Sequence, residues 1–467
     1  MTAPLDTAEQ APSDPNASPS FSAPPSFIAN VATVLGGQAG NIGLALLTEI
    51  CFARLLGPGP RGQISLCLMA IGFGVLLGGL GVDIPIVIWG ADRTKQASQW
   101  VSTVLVWSML GCTVAASLWW AIYWRWHPAA LRGVTPSLFK VVLISIPVAA
   151  LFSYLNAFLT GREKFRERAG VGIAENTVGL AGFLALTLLL GRTADSAMWG
   201  YFAGIVAGLG LAGFLVRDNL RGIWRAPAVN REIVGGLLTG LRGQLGNVAA
   251  FFNYRFDVFI VNYYLDPAQV GLYALGVAIS EGLWQIPQAT ALALFPRTAR
   301  TPGEDASEFT CLILRHVFAI SCLSAAALAL ASPLAVPLLF GQRFAPSVRV
   351  IWLILPGTIM TAMAKVASSH LTGRGKTGRN SVFAGFAVVV TLGLDLLLIP
   401  RFGIAGAAVA SSVSYVINGA LLLIILRKEL RASWSAMFVP SRAELLRYKS
   451  AWASVLAWSR MRIAQKA

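Results

Sequence analysis

Polar positions in this chain do not alternate every two or four residues. They fall between apolar runs of about 20 to 30 residues, the length that crosses a bilayer as a helix. Twelve such runs follow one another: Phe27–Leu56, Ile64–Gly90, Ser98–Trp124, Ser137–Leu159, Arg168–Gly191 and Ser196–Val216, then Ile233–Tyr264, Val270–Phe295, Phe309–Phe340, Ser347–Leu371, Arg379–Pro400 and Ile404–Leu426. Each is bounded by Gly, Pro or a charge cluster. The pattern predicts an all-α integral membrane protein of about 12 transmembrane helices.

The runs repeat. Gly37-Gln-Ala-Gly-Asn41 returns as Gly243-Gln-Leu-Gly-Asn247, an offset of 206. LTGREK at 159–164 returns as LTGRGK at 371–376, and Pro147 returns as Pro356. Gly191-Arg192 is echoed by Pro400-Arg401, and RDNLR at 217–221 by RKELR at 427–431. Five matches in order, at offsets from 206 to 212, predict two six-helix lobes. Six is even, so both lobes enter from one side, related by a pseudo-two-fold along the membrane normal, with a site between them. The expected division is a disordered tail over 1–26, an N-lobe over 27–216, a linker over 217–232, a C-lobe over 233–426 and a basic tail over 427–467.

Composition agrees with a lipid solvent: 56% of residues are hydrophobic and 12% charged. The net charge of +16 is a topology signal. With the N-terminus in the cytosol, the cytosolic loops hold fifteen Lys and Arg and the C-terminal tail nine, against eight on the other side. Both termini are therefore expected in the cytosol, and no nucleic-acid partner is implied. Trp119, Trp120, Tyr123, Trp124 and Trp126 read as an aromatic belt. The first 26 residues, rich in Pro, Ser and Ala and lacking Lys and Arg, lack the basic start and apolar core of a signal peptide. Past Ser441 a capping box and apolar residues at helical spacing predict an interfacial helix. The five Cys and three His show no metal-ligand spacing, so neither a metal nor a disulfide framework is expected. Gly375-Lys376-Thr377 ends like a phosphate loop, but the position five before Gly375 is His370, so no ATP site is expected.

Two transporter folds have this arithmetic. GADRTKQ at 90–96 partly matches the major facilitator loop motif but is not echoed after the eighth run. VGLYALGVAISEGLWQIPQATALALFP at 270–296, LLFG and FAPSVRVIWLILPG between runs nine and ten, and RFGIAGAAVASSVSYVI at 401–417 follow another order. In these motifs the chain resembles the polysaccharide-biosynthesis branch, the Wzx-type flippases, of the multidrug/oligosaccharidyl-lipid/polysaccharide superfamily. The resemblance implies a bacterial inner-membrane translocase, not an enzyme. It would move a polyprenyl-diphosphate-linked oligosaccharide outward by alternating access, without a cofactor beyond a coupling H+ or Na+. Its partners would be the lipid-linked sugar, membrane lipids and polysaccharide polymerase or assembly proteins. A cation-coupled drug or metabolite exporter of the same fold and a non-transporting assembly scaffold are the alternatives.

Ionisable and amide residues inside spans are costly and so mark function. Arg242, Lys365 and Arg315 are candidate ligands for an anionic head, with snorkelling the competing role for Arg315. Gln38, Asn41, Gln244, Asn247 and Asn253 are candidate ligands for sugar hydroxyls, with helix packing around Gly36 and Gly40 as the competing role. Asp83, Glu175, Asp257, Glu281 and Asp395 are candidates for coupling. Glu49 and Arg255 are repeat equivalents of opposite charge, about 33 Å along their helices; they are expected to pair across the lobes as an outer gate.

Overall fold

The computed structural model describes residues 25–91, 97–126, 128–218, 231–300, 304–375 and 377–439. Among these it forms sixteen α-helices and no strand. They are α1 Pro25–Leu56, α2 Pro58–Gly78, α3 Asp83–Ala91, α4 Ala97–Trp126, α5 Pro136–Gly161, α6 Phe165–Leu190, α7 Ala194–Val216, α8 Arg231–Tyr254, α9 Asp257–Tyr264, α10 Pro267–Glu281, α11 Gln285–Arg300, α12 Glu304–Phe340, α13 Ser347–Gly373, α14 Thr377–Phe402, α15 Ile404–Leu430 and α16 Trp434–Phe438. The N-terminal tail, most of the linker and the expected interfacial helix lie outside the described residues.

Nine of these helices, α2, α4 to α7 and α12 to α15, are long and apolar enough to cross a membrane. Three runs that read as single spans are broken. The second splits where Leu80 and Gly81 take left-handed conformations (φ 49° and 71°), and resumes as α3. Gly81 is required there: a Cβ would lie 2.2 Å from the Gly240 carbonyl oxygen. The seventh splits between Tyr254 and Asp257, at the Arg255 ion pair. The eighth passes through a 3-10 turn at Gly282–Trp284. Pro287, in the first turn of α11, cannot donate the N–H that would carry the α10 ladder through Leu283. The runs are apolar on both sides of each break, with Arg255 and Asp257 at the second and Glu281 at the third as isolated charges, so run length alone does not mark the breaks. Pro147 and Pro356, by contrast, sit inside continuous helices.

α1, α2 and α4 to α7 pack on one another, as do α10 to α15. The starts of α2, α5, α7, α10, α13 and α15 gather at one end of the molecule, the distal end; the turns α5–α6 and α13–α14 lie at the other. The lobes meet at the distal end through α2 and α10. There Gly62 faces the Pro267 carbonyl and Gly271 the Pro58 carbonyl, so closely that a Cβ would lie 1.6 and 2.1 Å from those oxygens. Pro58 and Pro267, like Gly62 and Gly271, are 209 residues apart. The contact is thus self-complementary about the pseudo-two-fold, and only glycine allows backbones to approach this closely. Asn262 adds to the distal closure by donating to the carbonyls of Ala130 and Arg132, both at 3.0 Å. Toward the opposite end, α8 lays Gly236, Gly240 and Gly243 on Trp89, Gly81 and Ile84.

Candidate functional site

A cavity of about 820 Å³ lies between the lobes, behind the α2–α10 crossing. Three cations line it. Arg61, in the first turn of α2, is buried; its Nε and Nη2 each lie 2.8 Å from Glu49 Oε2, and Nη1 donates to Ser65. Arg255, at the break between α8 and α9, binds Glu281 through two bonds of 3.0 and 2.7 Å. Lys365 of α13 is held differently. Its ammonium donates to Gln288 Oε1 at 2.8 Å and stands 5.2 Å from the centre of the Trp284 ring. The 3-10 turn at 282–284 and the following turn of α11 place that ring and amide.

Glu49 and Arg255 therefore do not pair with each other here, although both line the same cavity. Each takes a partner from its own lobe, Arg61 and Glu281 respectively, because the adjacent helix of the same lobe presents an opposite charge. The cross-lobe gate is corrected to two intra-lobe ion pairs. Arg255→Glu should lower the thermal unfolding midpoint by the equivalent of about 1–2 kcal/mol, the range for charged hydrogen bonds discounted for the partial exposure of Arg255. Adding Glu281→Arg should restore it; adding Glu49→Arg should not. Restoration by Glu49→Arg instead would return the pair to the lobe interface.

A buried polar network lies beside this cavity, wholly within the C-lobe. Asp257, 2% exposed, accepts bonds from Tyr273 Oη, from Ser411 Oγ at 3.2 Å and from the Val258 amide at 2.8 Å. One turn earlier, Asn253 Oδ1 accepts from Thr391 Oγ1 at 2.9 Å and Ser414 Oγ at 3.2 Å. One turn beyond Thr391 on α14 stands Asp395, fully buried, with neither carboxylate oxygen hydrogen-bonded. The two acids thus flank the Asn253–Thr391 contact. A buried carboxylate without a partner costs several kcal/mol, so it must be neutralised by a proton or a cation.

A second cavity, of about 600 Å³, lies in the N-lobe among α1, α5 and α6. Asn156 Nδ2 donates to the Phe152 carbonyl at 3.0 Å, and Asn176 Nδ2 to the Gly172 carbonyl at 2.8 Å, with Asn41 Oδ1 3.5 Å away. Gly172 leaves room for Asn41, whose amide would be 3.0 Å from a Cβ there. Glu175, Arg168 and Phe165 complete the wall. Ile42, Ala45 and Gln285 line both cavities, so the two adjoin.

The other expected residues fall elsewhere. Arg242 is exposed and lines neither cavity; it sits about 200° around α8 from Gly240, which faces the N-lobe. Arg315 donates to the Ala436 carbonyl at 2.6 Å, anchoring α16 to α12. Gln244 donates across the lobes to the Leu76 carbonyl and accepts from Asn247 at 3.0 Å, so this amide pair holds helices together. Asp83 opens α3. The side chain of Gln38 is outside the described set. Sequence reasoning missed Arg61, Asn156, Asn176, Gln285 and Gln288. One signal was available: Asn156 and Lys365 are 209 apart, the offset of Pro147 and Pro356 on the same two helices. Among the described residues no group of three or more His, Cys, Asp or Glu could hold a metal ion.

Comparison with known proteins supplies the lineage. A family model described as polysaccharide biosynthesis protein matches residues 51–349. A relative from Shigella flexneri, named as an O-antigen transporter, is 24% identical over 418 residues, 85% of this chain and 97% of its own. A relative from Haloferax volcanii, named as a low-salt glycan biosynthesis flippase, is 22% identical over 181 residues, 38% of each chain. Among solved structures, the lipid II flippase MurJ in an inward closed conformation superposes with a TM-score of 0.70 at 13% identity, covering 86% of this chain and 89% of its own. An inward-facing multidrug transporter of the MATE family gives 0.64 at 15% identity, covering 83% and 94%. The fold is that of the multidrug/oligosaccharidyl-lipid/polysaccharide superfamily, and the chain is a multi-pass membrane protein belonging to the polysaccharide biosynthesis protein family.

Proposed function

We propose that this protein is a flippase for an oligosaccharide carried on a polyprenyl diphosphate, moving it from the cytosolic to the outer leaflet of a bacterial inner membrane by alternating access. Lys365 carries the reading. Of the three cations lining the central cavity, Arg61 and Arg255 are neutralised by Glu49 and Glu281, while the Lys365 ammonium rests on an amide and a ring. Cation–π and amide contacts hold an ammonium in place without cancelling its charge. A diphosphate is the ligand that such a site attracts. An exporter of organic cations would need free carboxylates in this cavity; Glu49 and Glu281 are taken by arginine, and Asp257, the third carboxylate of the lining, is held by Tyr273, Ser411 and the Val258 amide.

The distribution of Lys and Arg supports cytosolic termini, which makes the distal end the outer end and the present form closed to the outside. Coupling is assigned to Asp257 and Asp395, which take up a proton or a sodium ion between them. Polymerase or assembly proteins of the same polysaccharide are the expected partners at the outer leaflet. Lys365→Ala should reduce polysaccharide export at least tenfold with the protein at its normal level, the loss expected when a charge-assisted contact is removed, and Lys365→Arg should retain part of it. Export at the wild-type rate from Lys365→Ala would overturn the reading.

A further inference from the structure

We propose that the N-lobe cavity is a separate saccharide subsite, selective for neutral or amino sugars and closed to sugars that carry a carboxylate. This rests on the lipid-carrier reading and assigns the second half of the ligand.

Three features of the cavity point to a sugar. First, its amides are fixed. Asn156 and Asn176 each donate one N–H to the carbonyl four residues back, which orients the plane of each amide. Each Oδ1 is left free to accept from a hydroxyl or an N–H. Second, the cavity has an aromatic wall. Phe165 is 40% exposed at the start of α6, and Phe152 lies on the adjacent face of α5. An aromatic face covers the C–H face of a pyranose while the edge amides take its hydroxyls, the mixture of apolar wall and few oriented polar groups that defines a specific pocket. Third, Glu175 lines the cavity, and among the described residues no cation lies within ion-pair distance of it; Arg168 lines the same cavity two turns earlier on α6. Around Glu175 the carboxylate and amide oxygens make the lining rich in acceptors, so this part favours hydroxyl and amide donors. A uronic acid seated there would place a second carboxylate near Glu175 and two helical turns from Arg168, and like charges at short range are strongly disfavoured inside a protein.

The position fits the same ligand. Gln285 lines both cavities, so a head group held at Lys365 has its next sugar at the mouth of the N-lobe cavity.

The test measures binding to the purified full-length protein in detergent with three probes: a polyprenyl diphosphate without sugar, the same carrier with an amino-sugar disaccharide, and the same carrier with a uronic-acid disaccharide. The amino-sugar carrier should bind about tenfold tighter than the bare one, and the uronic-acid carrier no tighter than the bare one. Asn156→Leu with Asn176→Leu should erase the tenfold preference and leave the bare carrier unaffected. Glu175→Gln should raise the uronic-acid carrier toward the amino-sugar one, and Lys365→Ala should weaken all three equally. Equal affinity for the three probes, retention of the preference in the double asparagine variant, or preference for the uronic-acid carrier each overturns the subsite. Failure of the wild type to bind any probe overturns the lipid-carrier reading itself. Bare-carrier affinity reports folding of the asparagine and Glu175 variants, and the isosteric Glu175→Gln decides the matter if the double variant does not fold.

Discussion

Replacing Gly62 by alanine is expected to open the distal end of the cavity and stop translocation, although the change adds a single methyl group. The methyl would lie 1.6 Å from the Pro267 carbonyl oxygen, a backbone atom that no rotamer change can move. Gly271→Ala meets the Pro58 carbonyl at 2.1 Å and should act alike, because the two contacts are related by the pseudo-two-fold. Overpacking costs about 1–3 kcal/mol, occasionally more. The cost falls only on the form in which α2 and α10 touch. A penalty of about 3 kcal/mol shifts the balance between closed and open forms by about two orders of magnitude. The readout is a thiol at Ala278, which is exposed and lines the cavity behind the crossing. In a background lacking the five native cysteines, Ala278→Cys should resist a membrane-impermeant maleimide added from the distal side. Adding Gly62→Ala should make it react. Continued protection together with normal translocation would show that this crossing does not close the cavity.

Asp395→Asn is expected to uncouple the protein. The wild-type carboxylate is fully buried without a hydrogen bond, while the adjacent Asp257 accepts three. Two acids placed this way cannot both be ionised without a neutralising charge, and the one with no donors carries the larger penalty. The carboxamide removes the requirement. In proteoliposomes, translocation by the wild type should respond to an imposed sodium gradient at constant pH or to a proton gradient without sodium, and this comparison identifies the ion. Asp395→Asn should respond to neither, yet still bind the bare carrier, since Asp395 does not line the central cavity. Asp257→Asn should also respond to neither gradient, with an added loss of stability because Tyr273 and Ser411 lose a charged acceptor; Asp257 lines the central cavity, so retained carrier binding is expected of Asp395→Asn alone. A full gradient response in both variants would remove coupling from this network.

The duplication was legible because it is written in residues with strong local constraints. Glycine, proline and clustered arginine keep their positions while apolar residues drift. The closest lobe contact escaped notice because Pro58-x-x-x-Gly62 and Pro267-x-x-x-Gly271 share only two residues, both common as helix punctuation. Arg242 illustrates a different limit. Its depth in the seventh run was readable, but its direction depends on which face of α8 meets α3, and that is set by Gly236, Gly240 and Gly243. Glu49 and Arg255 illustrate a third limit. Repeat symmetry puts them at like depth, but a charge pairs with the nearest opposite charge, and Arg61 falls between the first two apolar runs although it stands in the first turn of α2. Asn253 and Asp257 are four residues apart and so share a helix face in the sequence, whereas Thr391 and Ser411 look like ordinary small helix residues until α9, α14 and α15 converge.

Asn156 and Lys365 occupy corresponding places on α5 and α13. Two identical lobes would accept a ligand equally well in either of two poses related by a half-turn. An amide at one place and an ammonium at the other lift that degeneracy. A head group that reaches both is held one way round, at an entropic cost of only RT ln 2, about 0.4 kcal/mol. For the lipid-linked ligand proposed above, the chain attached to its phosphate end would then leave toward the same side of the protein in every cycle, so divergence at one pair of equivalent residues would give a symmetric frame a defined entrance for the tail.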